Sequence, residues 1–222
     1  MKLLFIKARA KVKEESLFSF PFKKLPRKIG LVALIQFTDY LLKIKEFLEK
    51  NKKQVFIEKA KGLALGQVLG CNVKAAVKIK DKVDAFLFIG SGMFHPLAIA
   101  KETGKKVFCY DPLTKNFFEV SENEVEKIKR REKGLILKFL SSASVGLLVS
   151  VKPGQERIKE ALKLKEKLTK QGKRVYIFLF DEFRKEQLEN FPQIQCWINL
   201  ACPGLSLEEN LLWFEKVKGK NF

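Results

Sequence analysis

The sequence lacks any uninterrupted apolar run of the roughly 18 residues that a membrane-spanning helix needs. The apolar part of its N-terminus, MKLLFIKARAKVKEE, is also too short for a secretory signal peptide. These two absences argue against a membrane protein and against export. We therefore expect a cytoplasmic protein.

Cysteine and histidine are scarce, with four cysteines and one histidine among 222 residues. Without an export signal, a disulfide framework is not expected for these cysteines, which leaves ligation or burial in the core. No CxxC pair occurs, so neither a zinc finger nor a ferredoxin-type cluster is indicated. The lone His95 lies near Ser91, but no acidic residue is placed to complete a nucleophilic triad, and a hydrolase is not expected.

Acidic residues are few relative to basic ones, with 25 Asp and Glu against 44 Lys and Arg, which gives a formal net charge of +19. Such a charge is compatible with a nucleic-acid or acidic protein partner. Most of the lysines, however, have the spacing of a helix surface, as in KEALKLKEKLTKQGK, which is also typical of heat-adapted proteins. We favour the solvated surface, and both interpretations stay open.

Short apolar runs alternate with amphipathic stretches along a chain that is long enough for two globular domains. This alternation predicts an α/β fold with βαβ units on parallel sheets. The predicted elements are strand 28–37, helix 38–53, strand 54–60, helix 72–82, strand 84–90, a short helix from Leu97, strand 105–112, helix 121–140, strand 145–152 and the helix and strand of 158–178.

The second half of the chain repeats the pattern of the first. VGLLVSVK resembles IGLVALIQ, so that Gly30 corresponds to Gly146 and Val55 to Val175. We therefore predict two related domains, preceded by an N-terminal strand and linker. The expected boundaries are 1–24 for the strand and linker, 25–143 for the first α/β domain and 144–222 for the second.

The four cysteines fall into two classes. Cys71, in LGQVLGCNV, and Cys202, in NLACPGLS, follow strand-like runs at glycine- or proline-containing turns. Ligands of parallel sheets bind outside the carboxyl ends of strands, so these two can be ligands at equivalent positions of the two domains, although plain burial near a turn stays open. Cys109 and Cys196 lie within strand runs, where we expect them in the core.

Four motifs occur in a fixed order with the repeated pattern between them, and together they carry a family resemblance. From about Lys2 to Ser206 the chain resembles the diphthamide synthase family, whose members begin the formation of diphthamide on translation elongation factor 2. The motifs are LGQVLGCNV, FIGSGMFHPLAIA, VSVKPGQ and WINLACPGLS.

The resemblance implies a cofactor and a reaction. Family members have three related α/β domains, each of which gives one cysteine to a [4Fe-4S] cluster that binds S-adenosylmethionine. The Cγ–S bond of this co-substrate breaks, and a 3-amino-3-carboxypropyl radical attaches to a histidine of the elongation factor. By motif, Cys71 corresponds to the ligand from the middle domain and Cys202 to the ligand from the last.

Further residues in these motifs are candidates for contacts with the co-substrate. In VKPGQ, a glycine-rich turn can expose N–H groups to an anion and a lysine can pair with a carboxylate, although a simple domain-entry turn is the competing interpretation. The candidates are Lys152, Gly154 and Gln155 in this turn, Gly90 and Gly92 in GSGMFHP, and Gln67 in LGQVLGCNV.

The chain departs from the family pattern in three places. The first domain and its cysteine are absent, and only LLFIKARAK, residues 3–11, resembles the last strand of that domain. Phe37 replaces a usual histidine, and Gly204 replaces the usual arginine of CPR. Contacts with the substrate can differ accordingly.

Two cysteines cannot supply the three thiolates that leave one iron open for the co-substrate. We therefore expect a separate N-terminal polypeptide to provide the third cysteine, with elongation factor 2 as protein substrate, a possible dimer of the assembled unit, and no membrane or nucleic-acid partner. A truncated fragment would have the same sequence. The alternative function is a non-catalytic basic module that binds the elongation factor, the ribosome or RNA.

Overall fold

The computed structural model describes Ile6, residues 8–208 and residues 210–218. The chain forms two compact units, Met1–Val125 and Glu126–Phe222, and each unit contains one sheet. The α-helices are α1 (Glu14–Leu17), α2 (Leu41–Lys50), α3 (Lys74–Val77), α4 (Phe94–Thr103), α5 (Glu122–Ser141), α6 (Ile158–Lys170) and α7 (Pro203–Glu208). Short 3₁₀ segments lie at Phe22–Lys24, Ile35–Tyr40, Lys80–Lys82, Lys185–Asn190 and Phe214–Lys216.

The first sheet has five strands in the order β2-β1-β3-β4-β5. The strands β1 to β4 are parallel, and β5 pairs with β4 in the antiparallel direction. Their bounds are β1 (Lys28–Ala33), β2 (Gln54–Phe56), β3 (Ala85–Ile89), β4 (Lys106–Asp111) and β5 (Asn116–Glu119).

The second sheet has four strands in the order β7-β6-β8-β9, all of them parallel. Their bounds are β6 (Ser144–Ser150), β7 (Arg174–Phe180), β8 (Cys196–Asn199) and β9 (Leu212–Trp213). This order matches β2-β1-β3-β4 of the first sheet. The predicted α/β class with parallel-rich sheets and an internal repeat is therefore confirmed.

The two glycines that correspond in the repeat occupy the same structural position. Gly30 in β1 pairs with Phe86 of β3, and Gly146 in β6 pairs with Trp197 of β8. A Cβ atom at either glycine would lie 2.4 Å from the neighbouring aromatic ring. Each glycine therefore lets an aromatic side chain of the next strand lie directly over the backbone.

Helices α2 and α6 bury matching faces. Both faces follow the i, i+3, i+7 spacing that a helix needs to pack one side on a sheet. Burying each large side chain stabilises the fold by about 1.5–3 kcal/mol. The buried residues are Leu41, Ile44 and Leu48 in α2, and Ala161, Leu164 and Leu168 in α6.

Some predicted boundaries are wrong. The strand predicted over 28–37 ends at Ala33, whose N–H donates to Gly66 O and whose carbonyl accepts from Val68 N–H. A 3₁₀ segment, Ile35–Tyr40, follows in place of further strand. The helix predicted over 72–82 is confined to α3 and the 3₁₀ turn Lys80–Lys82.

The N-terminal strand predicted over 3–11 lies partly outside the described residues. Ile6 and residues 8–11 are not in a strand. Instead, the Arg9 guanidinium forms an ion pair with Asp39 at 3.2 Å, and the Ala10 N–H donates to Gln36 O. This segment therefore packs on the loop that follows β1. Within the part of the chain that the structure describes, no helix is long and apolar enough to cross a membrane.

Candidate functional site

Both sheets contain a topological switch point at the carboxyl ends of their strands. The loops that follow β1 and β3 leave in opposite directions in the first sheet, as do the loops after β6 and β8 in the second. Ligands of open parallel sheets bind in the crevice at such a point. Gly90 and Gly92 follow β3, whereas Lys152 follows β6 and Cys202 follows β8.

Cys71 lies at the tip of a tight turn beyond the end of β1. Leu69 and Asn72 exchange two backbone hydrogen bonds, at 3.0 and 2.9 Å, so Gly70 and Cys71 form the turn. A Cβ atom at Gly70 would lie 1.7 Å from the ring of Phe94, the first residue of α4. Glycine thus lets this turn pack against the start of α4, and the Cys71 side chain stays exposed.

Gln67 lies just before this turn, and its side chain is used within the loop. The residue is 8% exposed, and its Oε1 accepts a hydrogen bond from Ala64 N–H at 2.8 Å. This contact stabilises the loop that carries Cys71. A role for Gln67 in cofactor binding stays a prediction.

Cys202 is half-buried in the loop between β8 and α7, and Asn199 shapes this loop. The Asn199 Nδ2 group donates to the Cys202 carbonyl at 2.6 Å and to Ser206 Oγ at 2.9 Å. Its Oδ1 accepts from Ala201 N–H at 2.8 Å. The Asn199 side chain is fully buried, and these three bonds compensate for its loss of water.

Asn199 did not figure in the sequence-based predictions. The one indication in the sequence is a polar residue at the end of an apolar run, three positions before a turn cysteine. Buried polar side chains in such positions are hydrogen-bonded to the local backbone.

The turn predicted to bind an anion is exposed and is held at both ends. The Lys152 N–H donates to the Oγ of buried Ser150 at 3.1 Å, and the Gln155 N–H donates to Lys152 O at 3.0 Å. Gly154 has a φ of 82°, a left-handed conformation that glycine adopts without strain. The three predicted residues Lys152, Gly154 and Gln155 thus lie together in one solvent-accessible turn.

Arg157 fixes the far end of this turn. Its guanidinium lies 5.4 Å from the ring centroid of Trp213 and forms an ion pair with Glu215 at 3.3 Å. A cation over an indole face is attracted by about 0.5–1 kcal/mol at an exposed site. The position of the turn is therefore coupled to β9 and the segment after it.

Gly90 and Gly92 form the turn after β3, with φ values of 153° and 77°. A Cβ atom at Gly90 would lie within 2.9 Å of both Leu34 and Phe88. His95 follows, with its ring stacked 6.0 Å from that of Phe88. Burial lowers the pKa of His95, which agrees with a neutral, packed ring.

Cys109 and Cys196 are buried in β4 and β8, so their predicted place in the core is confirmed. Burial raises the pKa of Cys109 to about 12 and that of Cys196 to about 11. This shift disfavours the thiolate form of both side chains, and iron–sulfur clusters bind thiolates. The accessible pair, Cys71 and Cys202, fits a cluster better than the buried pair.

The prediction that Cys71 and Cys202 occupy equivalent positions is wrong. Cys71 follows β2, whose counterpart in the second sheet is β7, whereas Cys202 follows β8, the counterpart of β3. In the first unit the place of Cys202 is taken by the turn with Gly90 and Gly92. The sequence repeat ends with the second strand of each sheet, so it does not align the segments beyond. Across Ile6, 8–208 and 210–218, no group of three His, Cys, Asp or Glu side chains could hold a metal ion.

Comparisons with known proteins agree with these features. The family model described as "Putative diphthamide synthesis protein" matches residues 1–217. The 2-(3-amino-3-carboxypropyl)histidine synthase of Pyrococcus horikoshii is 36% identical over 197 residues, which cover 88% of this chain and 56% of the relative. Subunit 1 of the corresponding synthase of Caenorhabditis elegans is 27% identical over 192 residues, which cover 82% of this chain and 46% of the relative.

A solved structure is also similar. The crystal structure of Dph2 from Pyrococcus horikoshii with a 4Fe-4S cluster superposes with a TM-score of 0.74 at 35% sequence identity. The match covers 88% of this chain and 57% of that one, so the chain spans little more than half the length of these proteins. With the family model matching nearly its whole length, the chain belongs to the diphthamide synthesis family.

Proposed function

We propose that the chain is a subunit of an enzyme that transfers a 3-amino-3-carboxypropyl group to a histidine of translation elongation factor 2. The observation that carries the proposal is the division of the cysteines. The two in family motifs are accessible at turns, and the two outside them are buried in strands. The names of the relatives, 2-(3-amino-3-carboxypropyl)histidine synthases, support the same reaction.

Cys71 and Cys202 would hold a [4Fe-4S] cluster, and the similar Dph2 crystal structure from Pyrococcus horikoshii contains such a cluster. When bound, such a cluster supplies the electron that cleaves the Cγ–S bond of S-adenosylmethionine in the family that the chain resembles. The chain contributes by presenting the two thiols on constrained turns. Gly70 packs under Phe94 on one side, and Asn199 bonds the Cys202 carbonyl on the other.

The turn with Lys152, Gly154 and Gln155 would bind the carboxylate of the methionine moiety. A cationic side chain next to turn N–H groups suits an anion. The placement of this turn beside the loop of Cys202, at the switch point of the second sheet, supports the assignment. Gly90, Gly92 and Gln67, all in the first unit, are proposed as further contacts of the co-substrate.

A separate N-terminal polypeptide would supply the third cysteine. The family pattern needs three thiolates, and Cys109 and Cys196 are too deeply buried to provide one. The designation "subunit 1" of the nematode relative supports an assembly of more than one polypeptide. In the present chain, we propose residues 25–143 and 144–222 as the two α/β domains, since each range contains one complete sheet.

The alternative function is a non-catalytic module that binds the elongation factor, the ribosome or RNA, and the net charge of +19 favours it. Such a module needs no accessible thiols. A cytoplasmic location is part of both proposals.

The test is anaerobic reconstitution of the chain with the candidate partner, followed by transfer from carboxyl-labelled S-adenosylmethionine to elongation factor 2. We expect label on one histidine, and loss of labelling in the Cys71→Ala variant but not in the matched Cys109→Ala variant. Equal labelling by wild type and Cys71→Ala would overturn the cluster assignment. Tight binding of elongation factor without transfer by a correctly assembled complex would favour the non-catalytic module.

A further inference from the structure

The turn of Cys71 lies against the ring of Phe94, the first residue of α4. The three atoms nearest to the place of a Cβ atom at Gly70 are carbons of this ring, at 1.7 to 2.6 Å. The φ of Gly70 is outside the left-handed region, so space and not backbone conformation requires a glycine here. Leu69 and Asn72 close the turn with two backbone hydrogen bonds, so a displacement of Gly70 also displaces Cys71.

A series of three rings connects this contact to the core of the first sheet. The ring of His95 lies edge-on to that of Phe94, with centroids 5.1 Å apart, and stacks with that of Phe88 at 6.0 Å. Both arrangements are attractive beyond the apolar area that they bury. Phe88 lies in β3 and is fully buried, so close packing fixes its position. The Phe94 ring is therefore held relative to the sheet and not only relative to its own loop.

The other end of the turn is held through α3. The Asn72 Oδ1 accepts a hydrogen bond from Lys74 N–H at 3.2 Å, and Val73 and Ala75 are buried in the core. These contacts hold the residues after Cys71, whereas the ring of Phe94 holds the residue before it. The thiol itself is exposed. The turn is thus fixed on both sides of a side chain that solvent can reach.

We propose that Phe94 is a positioning residue for the Cys71 thiol, on which its ring acts through the backbone of Gly70. The inference rests on the proposed function, in which Cys71 binds the cluster, and it deepens that function. Side chains that form a binding site must be held to within about 0.5 Å by their surroundings, and the contacts behind a metal ligand orient it. Phe94 also follows Gly90 and Gly92 in the chain, so it couples the loop of Cys71 to proposed contacts of the co-substrate.

The contact is tested first in the full apo-chain, where no cluster is needed. Hydrogen exchange followed by nuclear magnetic resonance reports on the amides of Leu69 and Asn72, which close the turn. In Phe94→Ala both amides should exchange at least about tenfold faster than in the wild type, because the turn loses its support. Leu97→Ala, which truncates another half-buried side chain of α4, is the matched control and should leave their exchange unchanged. Unchanged exchange in Phe94→Ala overturns the proposal.

A second substitution tests whether the ring acts through Gly70. Gly70→Ala should also speed the exchange, because the new methyl group overlaps the Phe94 ring. In the double variant Gly70→Ala with Phe94→Ala this overlap is gone, so the turn should be no looser than in Phe94→Ala alone. Additive effects of the two substitutions overturn the proposed contact. If circular dichroism shows that Phe94→Ala is unfolded, Phe94→Leu and Gly70→Ala decide by the same measurement.

The consequence for the cluster is measured in the complex with the N-terminal polypeptide. The reduced Phe94→Ala complex should show shifted g values in electron paramagnetic resonance and bind less iron than the wild type, whereas Leu97→Ala should match the wild type. A wild-type spectrum and iron content in Phe94→Ala would overturn the role of Phe94 in positioning Cys71. A wild-type complex without iron would contradict the proposed function instead, and hydrogen exchange in the apo-chain would still decide whether Phe94 holds the turn.

Discussion

The two sheets share a scaffold and differ in where each presents its accessible thiol. Both place a glycine of the first strand, Gly30 or Gly146, beneath an aromatic ring, and both pack one helix through the same three positions. Yet Cys71 follows the second strand of its sheet, whereas Cys202 follows the third. The repeated part is thus the part that buries apolar surface, and the loops at the carboxyl ends of the strands have diverged.

This difference shows that the sequence repeat preserves the packing of the apolar core in both units. It does not preserve the positions of the loops. Apolar residues at a fixed spacing determine the scaffold, because many contacts constrain each of them. A turn residue such as Cys71 is exposed, and little in the core constrains its place in the chain.

The largest expected effect concerns the accessible cysteines. In the complex with the N-terminal polypeptide, Cys71→Ala or Cys202→Ala should abolish binding of the cluster, because the proposed ligation has no spare thiolate. Iron and sulfide analysis with electron paramagnetic resonance of the reduced complex measures this. The melting temperature of the apo-chain should change little, since a turn thiol makes few packing contacts. A fully loaded Cys202→Ala complex would mean that the motif assignment is wrong.

A second prediction sharpens the comparison of the scaffolds. Gly30→Ala and Gly146→Ala should each destabilise the fold by about 1–3 kcal/mol, because the new methyl group would overlap an aromatic ring. Gly134→Ala is the control, since α5 leaves open space there, and it should stabilise by about 0.5–1 kcal/mol. Urea denaturation followed by circular dichroism measures all three. Opposite signs for Gly30 and Gly146 would contradict the structural equivalence of the repeats.

A third prediction concerns Asn199, which makes three hydrogen bonds in the loop of Cys202. Asn199→Ala removes three hydrogen bonds to the loop of Cys202 and should cost about 1–3 kcal/mol. It should also lower the occupancy of the cluster and broaden the electron paramagnetic resonance spectrum of the reduced complex. The isosteric Asn199→Asp keeps the acceptor for Ala201 N–H and can accept a hydrogen bond from the Ser206 hydroxyl, but it cannot donate to the Cys202 carbonyl. It should therefore recover part of the stability without restoring the bond to Cys202. A wild-type spectrum in both variants would remove any role of Asn199 in positioning Cys202.

The smallest effect concerns the buried cysteines and pH. Their folded pKa values of about 12 and about 11 lie above the ordinary value of 9.0, so the folded chain keeps protons that the unfolded chain releases. Stability should therefore be complete below pH 9 and fall gradually as pH rises toward 11 or 12.

The variant Cys109→Ala should keep the cluster and cost about 1 kcal/mol at neutral pH through a small cavity. Its stability should also depend less on pH between 9 and 12 than that of the wild type. Urea midpoints at several pH values test this. An unchanged slope would mean that Cys109 titrates in the folded chain as it does in the unfolded one.

The sequence was sufficient to predict the features that depend on many residues at once. Strands β1, β3, β4 and β6, the helices α2 and α6, and the burial of Cys109 and Cys196 follow from apolar runs and their spacing. Features that depend on one tertiary contact were missed. The bonds of Ala33 to Gly66 and Val68 join segments that are far apart in the sequence, and the role of Asn199 depends on a fully buried hydrogen-bond pattern.

The division between accessible and buried cysteines is tested most directly by alkylation of the native chain, with each cysteine quantified by mass spectrometry. In the apo-chain we expect labelling of Cys71 and Cys202, and protection of Cys109 and Cys196. After anaerobic assembly of the cluster with the N-terminal polypeptide, Cys71 and Cys202 should become protected, and removal of iron by a chelator should expose them again. Labelling of Cys71 and Cys202 to the same extent with and without bound iron would contradict the proposed ligation.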